Sequence, residues 1–243
     1  MINPTAAMLV IGDEILSGRT QDTNTHHLAG ELTAHGIDLK EVRVVPDDTG
    51  AIIAAVQWLA GHHTHLFTSG GIGPTHDDIT ADAVAAAFGT PIGVRDDARA
   101  LLVAHYASSG TKLNKARLRM ARIPDGAVLI DNPISAAPGF SLRNVHVMAG
   151  VPMIFTAMVA SLLPTLSGGH PLISQTLQLL HPEGAIAKPL GKLAARFPEV
   201  SFGSYPFYQN GTYGTNIVGR CTDAAMLDTA MRDLATLFPS EPT

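Results

Sequence analysis

The sequence predicts an α/β fold with a mostly parallel sheet. Short apolar segments alternate with segments whose apolar residues recur at three-to-four spacing, the pattern of strands and helices in succession. Residues 5–11 read as a buried strand, residues 38–45 alternate like a half-buried strand, and residues 65–68 form a short central strand. A helical segment follows each of them. This order is typical of right-handed crossovers between parallel strands.

Local signals place the helices of this domain. Residues 22–24 (Asp-Thr-Asn) can cap the first helix, and Gly36 ends it. The turn at 46–49 supplies a cap for an amphipathic helix over residues 50–62. The remaining predicted helices cover 80–88, 96–121 with a break at 108–110, and 153–163.

The pattern changes after residues 164–171, which combine two prolines with two glycines and read as a linker. The rest of the chain predicts a small β-α-β-β-α unit. Its last two strands are joined by Gln209-Asn210-Gly211, because Asn-Gly is a strong hairpin signal. We therefore divide the chain into domains over 1–166 and 172–243.

Composition excludes several classes of function. The net charge is −5, which gives no electrostatic footprint for nucleic acid or an anionic membrane. No apolar run reaches the roughly 18 residues of a membrane helix, and the N-terminus lacks a basic signal-peptide region. The single cysteine, Cys221, excludes an internal disulfide framework and a multi-thiolate metal site. We expect a cytosolic protein with a small-molecule ligand.

A glycine loop, residues 68–75 (TSGGIGPT), lies between a buried strand and a helix. This position directs backbone N–H groups and a helix N-terminus toward an anion such as phosphate, with hydroxyl groups as further donors. The alternative is a turn that only satisfies the geometry of the chain. The candidate phosphate- or nucleotide-binding residues are Thr68, Ser69, Gly70, Gly71, Gly73 and Thr75, together with Asn24.

Carboxylates follow the same three strands. Asp77 and Asp78 beside a phosphate would repel it, and a divalent cation between them would remove the conflict. The alternative is that both only cap the next helix. Carboxyl ends of neighbouring parallel strands meet at one edge of a sheet, so acids after each strand should lie together. The candidate catalytic residues are Asp13, Asp47 and Asp78, and the candidate metal ligands are Glu14, Asp77 and Asp78.

No Gly-x-Ser-x-Gly motif occurs, and Cys221 lies outside the first domain. Nucleophilic hydrolysis through serine or cysteine is therefore disfavoured. The expected nucleophile is a metal-activated water or a phosphate of the substrate.

Five ordered segments together resemble the MoaB/Mog-like molybdopterin-binding domain, in the form found in the competence/damage-inducible protein A (CinA) family. They are GDEILSGRTQDTNTHHLA, VPDD, TSGGIGPTHDDITADAVA, DNPISAAPGF and AGVP, within residues 5–163. SYPFYQNGTYGTNIVGR resembles the following segment of short CinA proteins and of FAD synthases. The amidase-like domain of long CinA proteins is not found in this sequence, so amide hydrolysis is not implied.

This resemblance implies a three-layer α/β/α sandwich, often trimeric, so a homo-oligomer is expected. It implies phosphate around Gly70, Gly71, Gly73 and Thr75, with Asp13 or Asp47 and Asp78 near the reacting group. The activity implied is hydrolysis of a nucleotide pyrophosphate such as ADP-ribose or FAD with Mg²⁺, Mn²⁺ or Co²⁺. Two alternatives are molybdopterin binding without chemistry and adenylation of molybdopterin.

One position departs from the family pattern. The family commonly has a glutamate two positions after Gly-Val-Pro, whereas this chain has Ile154. If that glutamate holds metal or water, the departure favours a protein that binds without turnover or takes another substrate.

Overall fold

The computed structural model describes residues 3–108, 110–209 and 211–238. The chain divides into two compact units, Met1–Gly169 and His170–Thr243. Asn210, half of the predicted Asn-Gly turn, lies outside the described residues.

The first unit alternates strands and helices. Its strands are β1 (Thr5–Ile11), β2 (Asp38–Val45), β3 (His65–Ser69), β4 (Ile92–Val94), β5 (Arg122–Pro124), β6 (Val128–Ile130), β7 (Gly139–Leu142) and β8 (Val145–Met148). Its helices are α1 (Asp13–Leu16), α2 (Asn24–His35), α3 (Thr49–His62), α4 (Thr80–Ala87), α5 (Asp96–Ser108), α6 (Lys115–Leu118) and α7 (Pro152–Leu162).

A six-stranded sheet runs in the order β2-β1-β3-β8-β7-β6. The first four strands are parallel, and β7 and β6 are antiparallel to their neighbours. Helices α3, α4 and α5 cover one face, and α2 and α7 cover the other. The predicted three-layer α/β/α sandwich with a mostly parallel sheet is confirmed.

The composition of β1 follows from its place inside the sheet. Its residues alternate between the two apolar cores, with Leu9 on one side and Met8 on the other, and both are fully buried. A strand covered on both faces needs apolar residues at every position, which is why this segment shows no polar alternation.

Local signals also set the helix ends. The Asp48 side chain accepts a hydrogen bond from Ala51 N at 2.8 Å and so caps α3. Gly36 ends α2 in the left-handed region at φ 75°. Between α5 and β6 the structure differs from the prediction of one long broken helix: α6 and a 3-10 turn, Arg119–Ala121, lead into β5, which pairs with β4. These pieces are too short for sequence periodicity to identify.

The second unit is a separate small α+β fold. It contains β9 (Ile173–Leu179), α8 (Glu183–Arg196), β10 (Ser201–Gln209), β11 (Thr212–Cys221) and α9 (Ala224–Leu237). The antiparallel sheet has the order β10-β11-β9. One apolar core lies between this sheet and both helices, with Ile186, Ile217 and Leu227 fully buried. The predicted β-α-β-β-α order is confirmed.

No helix within the described residues is long and apolar enough to cross a membrane.

Two histidines form a buried polar chain at the start of β3. His146 is 3% exposed. Its Nδ1 lies 2.8 Å from Ser141 Oγ, and its Nε2 lies 3.1 Å from His65 Nδ1. Burial and, to a smaller extent, the neighbouring His65 together lower the pKa of His146 to about 3. Burial also lowers the pKa of His65. Both imidazoles are therefore neutral in the folded protein at neutral pH.

This pair predicts acid sensitivity of the fold. Between pH 6.5 and about 3 the unfolded chain binds a proton at residue 146 that the folded chain does not, so stability falls as the pH falls. From pH 7.5 to 5.0 this linkage removes about 2 kcal/mol from the free energy of unfolding. Urea titrations at both pH values measure it.

Between pH 7.5 and 5.0, His146→Gln should lose less unfolding free energy than the native chain. His76→Gln changes a fully exposed histidine and should lose as much as the native chain. Equal pH dependence in all three proteins would contradict the assignment.

Candidate functional site

The loops that leave β1, β2, β3 and β8 meet at one edge of the sheet, which we call the strand-end edge. These four strands are adjacent and parallel, so their carboxyl ends lie side by side. The loops carry Asp13-Glu14, Asp47-Asp48, the glycine loop and Gly150-Val151-Pro152, respectively. Segments far apart in the sequence are thereby brought to one place.

The glycines of the loop are required by close backbone contacts. Gly70 has φ 110°, and a Cβ atom there would overlap the carbonyl oxygen of Ile11 at the end of β1. Gly71 has φ 67°, and a Cβ atom there would overlap the Thr80 hydroxyl. That hydroxyl donates to Gly70 O at 3.0 Å, and Thr80 N donates to Gly71 O at 3.0 Å. Thr80, the first residue of α4, therefore fixes the loop through two hydrogen bonds.

Asp78 has a role that the sequence did not indicate. Its carboxylate accepts hydrogen bonds from Gly73 N at 2.6 Å, Thr75 N at 2.7 Å and Thr75 Oγ1 at 2.6 Å. The residue before α4 is Ile79, and no side chain caps that helix. The alternative of helix capping by Asp78 is therefore wrong. Asp78 binds the loop itself, and it occupies donors that we had expected to hold a phosphate.

Asn24 joins three segments of the strand-end edge. It is 7% exposed, and its amide nitrogen donates to Ser69 Oγ at 2.7 Å and to Gly150 O at 2.8 Å. Asn24, Ser69 and Gly150 line a small cavity of about 50 Å³. These contacts fix the start of α2 against the ends of β3 and β8.

A larger cavity, the main cavity, lies beside the glycine loop and has a volume of about 490 Å³. Three loop regions line it: residues 70–74, the turn that contains Asn132, and residues 149–154. The Glu14 carboxylate and Asp78 also face it. Met120, Val151 and Ile154 give part of its wall an apolar character. A ligand with a flat ring and an anionic group suits this combination of surfaces.

The turn that contains Asn132 is held by that side chain. Its amide nitrogen donates to Ser135 Oγ at 2.7 Å and to Ala137 O at 2.8 Å, and its oxygen accepts from the N–H groups of Ile134 and Ser135. This turn lies between β6 and β7. The structure makes it a wall of the main cavity.

The other residues predicted to bind phosphate lie in different environments. Thr68 has no exposure to solvent, and its hydroxyl is buried without a partner. It lies inside the sheet, between Leu9 of β1 and Val147 of β8 in register. Thr75 is exposed and bonded to Asp78. Gly70, Gly71 and Gly73 line the main cavity, and phosphate binding by them stays a prediction.

Acidic residues of the loops after β1, β2 and β3 lie close enough to interact electrostatically. Asp47 Oδ2 accepts a hydrogen bond from Asp13 N at 3.0 Å. Burial raises the pKa of Asp47, and the negative charges of Asp13, Glu14 and Asp77 raise it further. The predicted convergence of acids from different loops is therefore visible as mutual repulsion at Asp47.

Comparison with known proteins identifies the first unit. Residues 7–168 match the family described as "Probable molybdopterin binding domain". The chain belongs to this MoaB/Mog-like family. Residues 171–242 match a second family, described as "FAD synthase, middle domain".

Individual relatives agree with the CinA-like form of the family. A solved structure from Thermoplasma acidophilum, described as the protein CinA with unknown function, is 31% identical, has a TM-score of 0.61, and covers 68% of this chain and 99% of its own. A CinA-like protein of Geobacter sp. strain M21 is 37% identical over 76% of this chain and 46% of its own. A "Probable FAD synthase" of Caenorhabditis elegans is 30% identical over 96% and 50%, respectively. This chain spans about half of the last two.

The MoaB/Mog-like domain departs from its family pattern inside the main cavity. Ile154 lines this cavity directly after Pro152-Met153, at the position where a glutamate is common. An apolar side chain there removes one carboxylate from the wall.

A preformed metal site does not fit the residues present. Among residues 3–108, 110–209 and 211–238, no three histidine, cysteine, aspartate or glutamate side chains are grouped so as to hold a metal ion. The predicted ligands were Glu14, Asp77 and Asp78. Asp78 is engaged by loop donors, and Asp77 is exposed beside His76. The described residues therefore show no preformed three-carboxylate metal site, and metal binding by Glu14, Asp77 and Asp78 stays a prediction.

Sequence analysis missed two arginines beside the loop. Arg119 Nη2 donates to Asp78 O at 3.2 Å, and Arg122 is paired with Asp82. Both line a small cavity next to Gly71 and Gly73. The arginine-rich segment RLRMAR, residues 117–122, was the available signal, but it was absorbed into a predicted helix.

Gly70→Ala tests the backbone contact with Ile11. The added methyl group overlaps the carbonyl oxygen at a left-handed φ, so we expect a loss of about 2 kcal/mol or more in unfolding free energy. Gly61→Ala is the matched control: Gly61 lies inside α3 with open space around it, and alanine should be neutral or stabilising by up to about 1 kcal/mol. Equal stability of both variants would refute the contact's importance.

Asp78→Ala tests the role of Asp78 in holding the loop. The change leaves three donors without their acceptor, so unfolding free energy should fall by about 1–3 kcal/mol. Asp77→Ala is the control, and its stability should lie within about 0.5 kcal/mol of the native value. Thermal and urea denaturation measure both, and an Asp78→Ala protein as stable as the control would disprove the role.

Proposed function

We propose that the main cavity binds a nucleotide pyrophosphate such as ADP-ribose or FAD, and that the chain hydrolyses it. The observation that carries the proposal is the position of donors and a carboxylate around one cavity. The N–H groups of Gly71 and Ile72 have no partner within the described part of the chain, and both residues line the cavity with Glu14. Free N–H groups stabilise phosphate charge, and a carboxylate accepts a proton.

The chemistry balances with these groups. A water oxygen bonds to one phosphorus, and its proton passes to Glu14. The bond between that phosphorus and the bridging oxygen breaks, so the other phosphate leaves with the bridging oxygen. ADP-ribose would yield AMP and ribose 5-phosphate. Asp47, whose pKa is raised by burial and by neighbouring acids that include Glu14, adds negative charge near the proposed proton acceptor. No step here is assigned to a bound metal ion, and dependence on Mg²⁺, Mn²⁺ or Co²⁺ stays a prediction.

The comparisons support the choice of ligand. The second unit matches the FAD synthase middle domain, and the Caenorhabditis elegans relative bears the name of an FAD synthase. ADP-ribose and FAD share an adenosine diphosphate, so one cavity with a phosphate-binding loop would suit both. The homo-oligomer and the cytosolic location expected from the sequence stay predictions.

A second candidate is a molybdopterin-binding protein without hydrolytic activity. Ile154 in the cavity wall favours it, because this residue provides no charge for metal or water. The family description names molybdopterin binding. Adenylation of molybdopterin, the third candidate, predicts ATP consumption that requires the pterin.

Release of AMP from ADP-ribose and FAD tests the leading proposal. We expect turnover by the native chain, and a decrease of at least about 100-fold in Glu14→Gln because its proton acceptor is removed. Asp47→Asn should also lose activity while its stability stays within about 1 kcal/mol, since a repelled charge is removed. Glu31→Gln, at an exposed position of α2, is the control with native activity.

Each substrate is assayed with EDTA and with each of the three metals. Absence of AMP under all of these conditions would reject hydrolysis. Titration with molybdopterin then decides whether the second candidate holds.

A further inference from the structure

Arg119 differs from the other arginines of its segment. Arg122 is paired with Asp82, and the Arg117 guanidinium lies over the Tyr106 ring at 5.0 Å and donates to Lys112 O. Arg119 donates through Nη2 to the neutral carbonyl oxygen of Asp78. Its Nε is buried without a partner, and no ion pair among the described residues includes it. Among the described residues it is therefore a partly buried cation that forms no ion pair.

Arg119 lines a small cavity that adjoins the main cavity. The guanidinium lines a cavity of about 20 Å³, which we call the arginine cavity. Gly71, Ile72, Gly73, Asp78 and Met120 line both this cavity and the main cavity. The two spaces therefore adjoin, and the backbone that they share carries the free N–H groups of Gly71 and Ile72.

Size and charge define what would enter the arginine cavity. A volume of about 20 Å³ holds one water-sized group, so it admits a single oxygen of a phosphate but not the whole phosphate. A partly buried guanidinium that forms no ion pair and has a buried Nε without a partner favours an anionic oxygen, because charge-assisted hydrogen bonds are the strongest available to it. Asp82 does not compete for Arg119, since it is paired with Arg122.

We propose that Arg119 binds an oxygen of the second phosphate of a diphosphate whose first phosphate lies against the N–H groups of Gly71 and Ile72. Arg119 thereby selects diphosphate ligands over monophosphates. This inference rests on the proposed function, which gives the location of the ligand. It narrows the ligands of the main cavity to diphosphates. A pterin with one phosphate leaves Arg119 without its anion.

Calorimetric titration with methylenediphosphonate and methylphosphonate tests the selection, because neither probe is hydrolysed. The native chain should bind the diphosphonate at least about 10-fold more tightly. Arg119→Met should weaken diphosphonate binding by roughly 10- to 100-fold and leave methylphosphonate binding unchanged. Arg117→Met removes the same charge from the same segment outside the arginine cavity, and it should behave like the native chain.

Arg119→Lys keeps the charge but loses the planar set of donors. It should therefore retain only part of the preference for methylenediphosphonate over methylphosphonate. It also serves as the deciding variant if thermal melting shows that Arg119→Met is unfolded. Equal binding of the diphosphonate by the Arg119 variants and by Arg117→Met would overturn the inference.

The outcomes separate this inference from the proposed hydrolysis. Selective binding that depends on Arg119, in a chain that releases no AMP, supports the inference and rejects the activity. AMP release by a chain in which the Arg119 variants bind the diphosphonate as tightly as the native protein supports the activity and rejects the inference. A native chain that binds neither phosphonate overturns the inference, and the AMP assay then decides the proposed hydrolysis by itself.

Discussion

The passage of Gly70 across the end of β1 sets the geometry on which the site depends. Gly70 lies so close to the Ile11 carbonyl oxygen that no side chain fits between them, and its N–H donates to Met148 O at 3.2 Å. A Cβ atom on Gly150 would lie 3.2 Å from Gly70 Cα. Backbone therefore packs on backbone where β1, β3 and β8 end. The loops that follow these strands stay within reach of one small ligand.

Much of this architecture is determined by local sequence. A strand that is buried on both faces must be apolar throughout, so β1 can be recognised from its own seven residues. The acids after β1 and β2 were predicted to converge because parallel strands end at the same edge. Asp48 and Gly36 mark helix ends through contacts within a few residues.

The partners of individual side chains could not be predicted in the same way. Asp78 is only five residues from Gly73, yet its contact with Gly73 N requires the left-handed turns at Gly70 and Gly71. Arg119 reaches the loop from 41 residues away in the sequence. Its segment contains three arginines in six residues, and only packing decides that Arg122 has a carboxylate partner whereas Arg119 has none among the described residues.

Asp78 also determines what the glycine loop does in the absence of a ligand. Its carboxylate is an anion supplied by the chain. It accepts hydrogen bonds from loop donors that would otherwise bind water, and it thereby orders the loop backbone. The loop is thus preorganised, and an arriving ligand loses little affinity to the ordering of backbone. Under the proposed function, discrimination among phosphate compounds depends on the few groups that Asp78 leaves open. The proposed recognition would then use backbone that is already ordered by the chain itself.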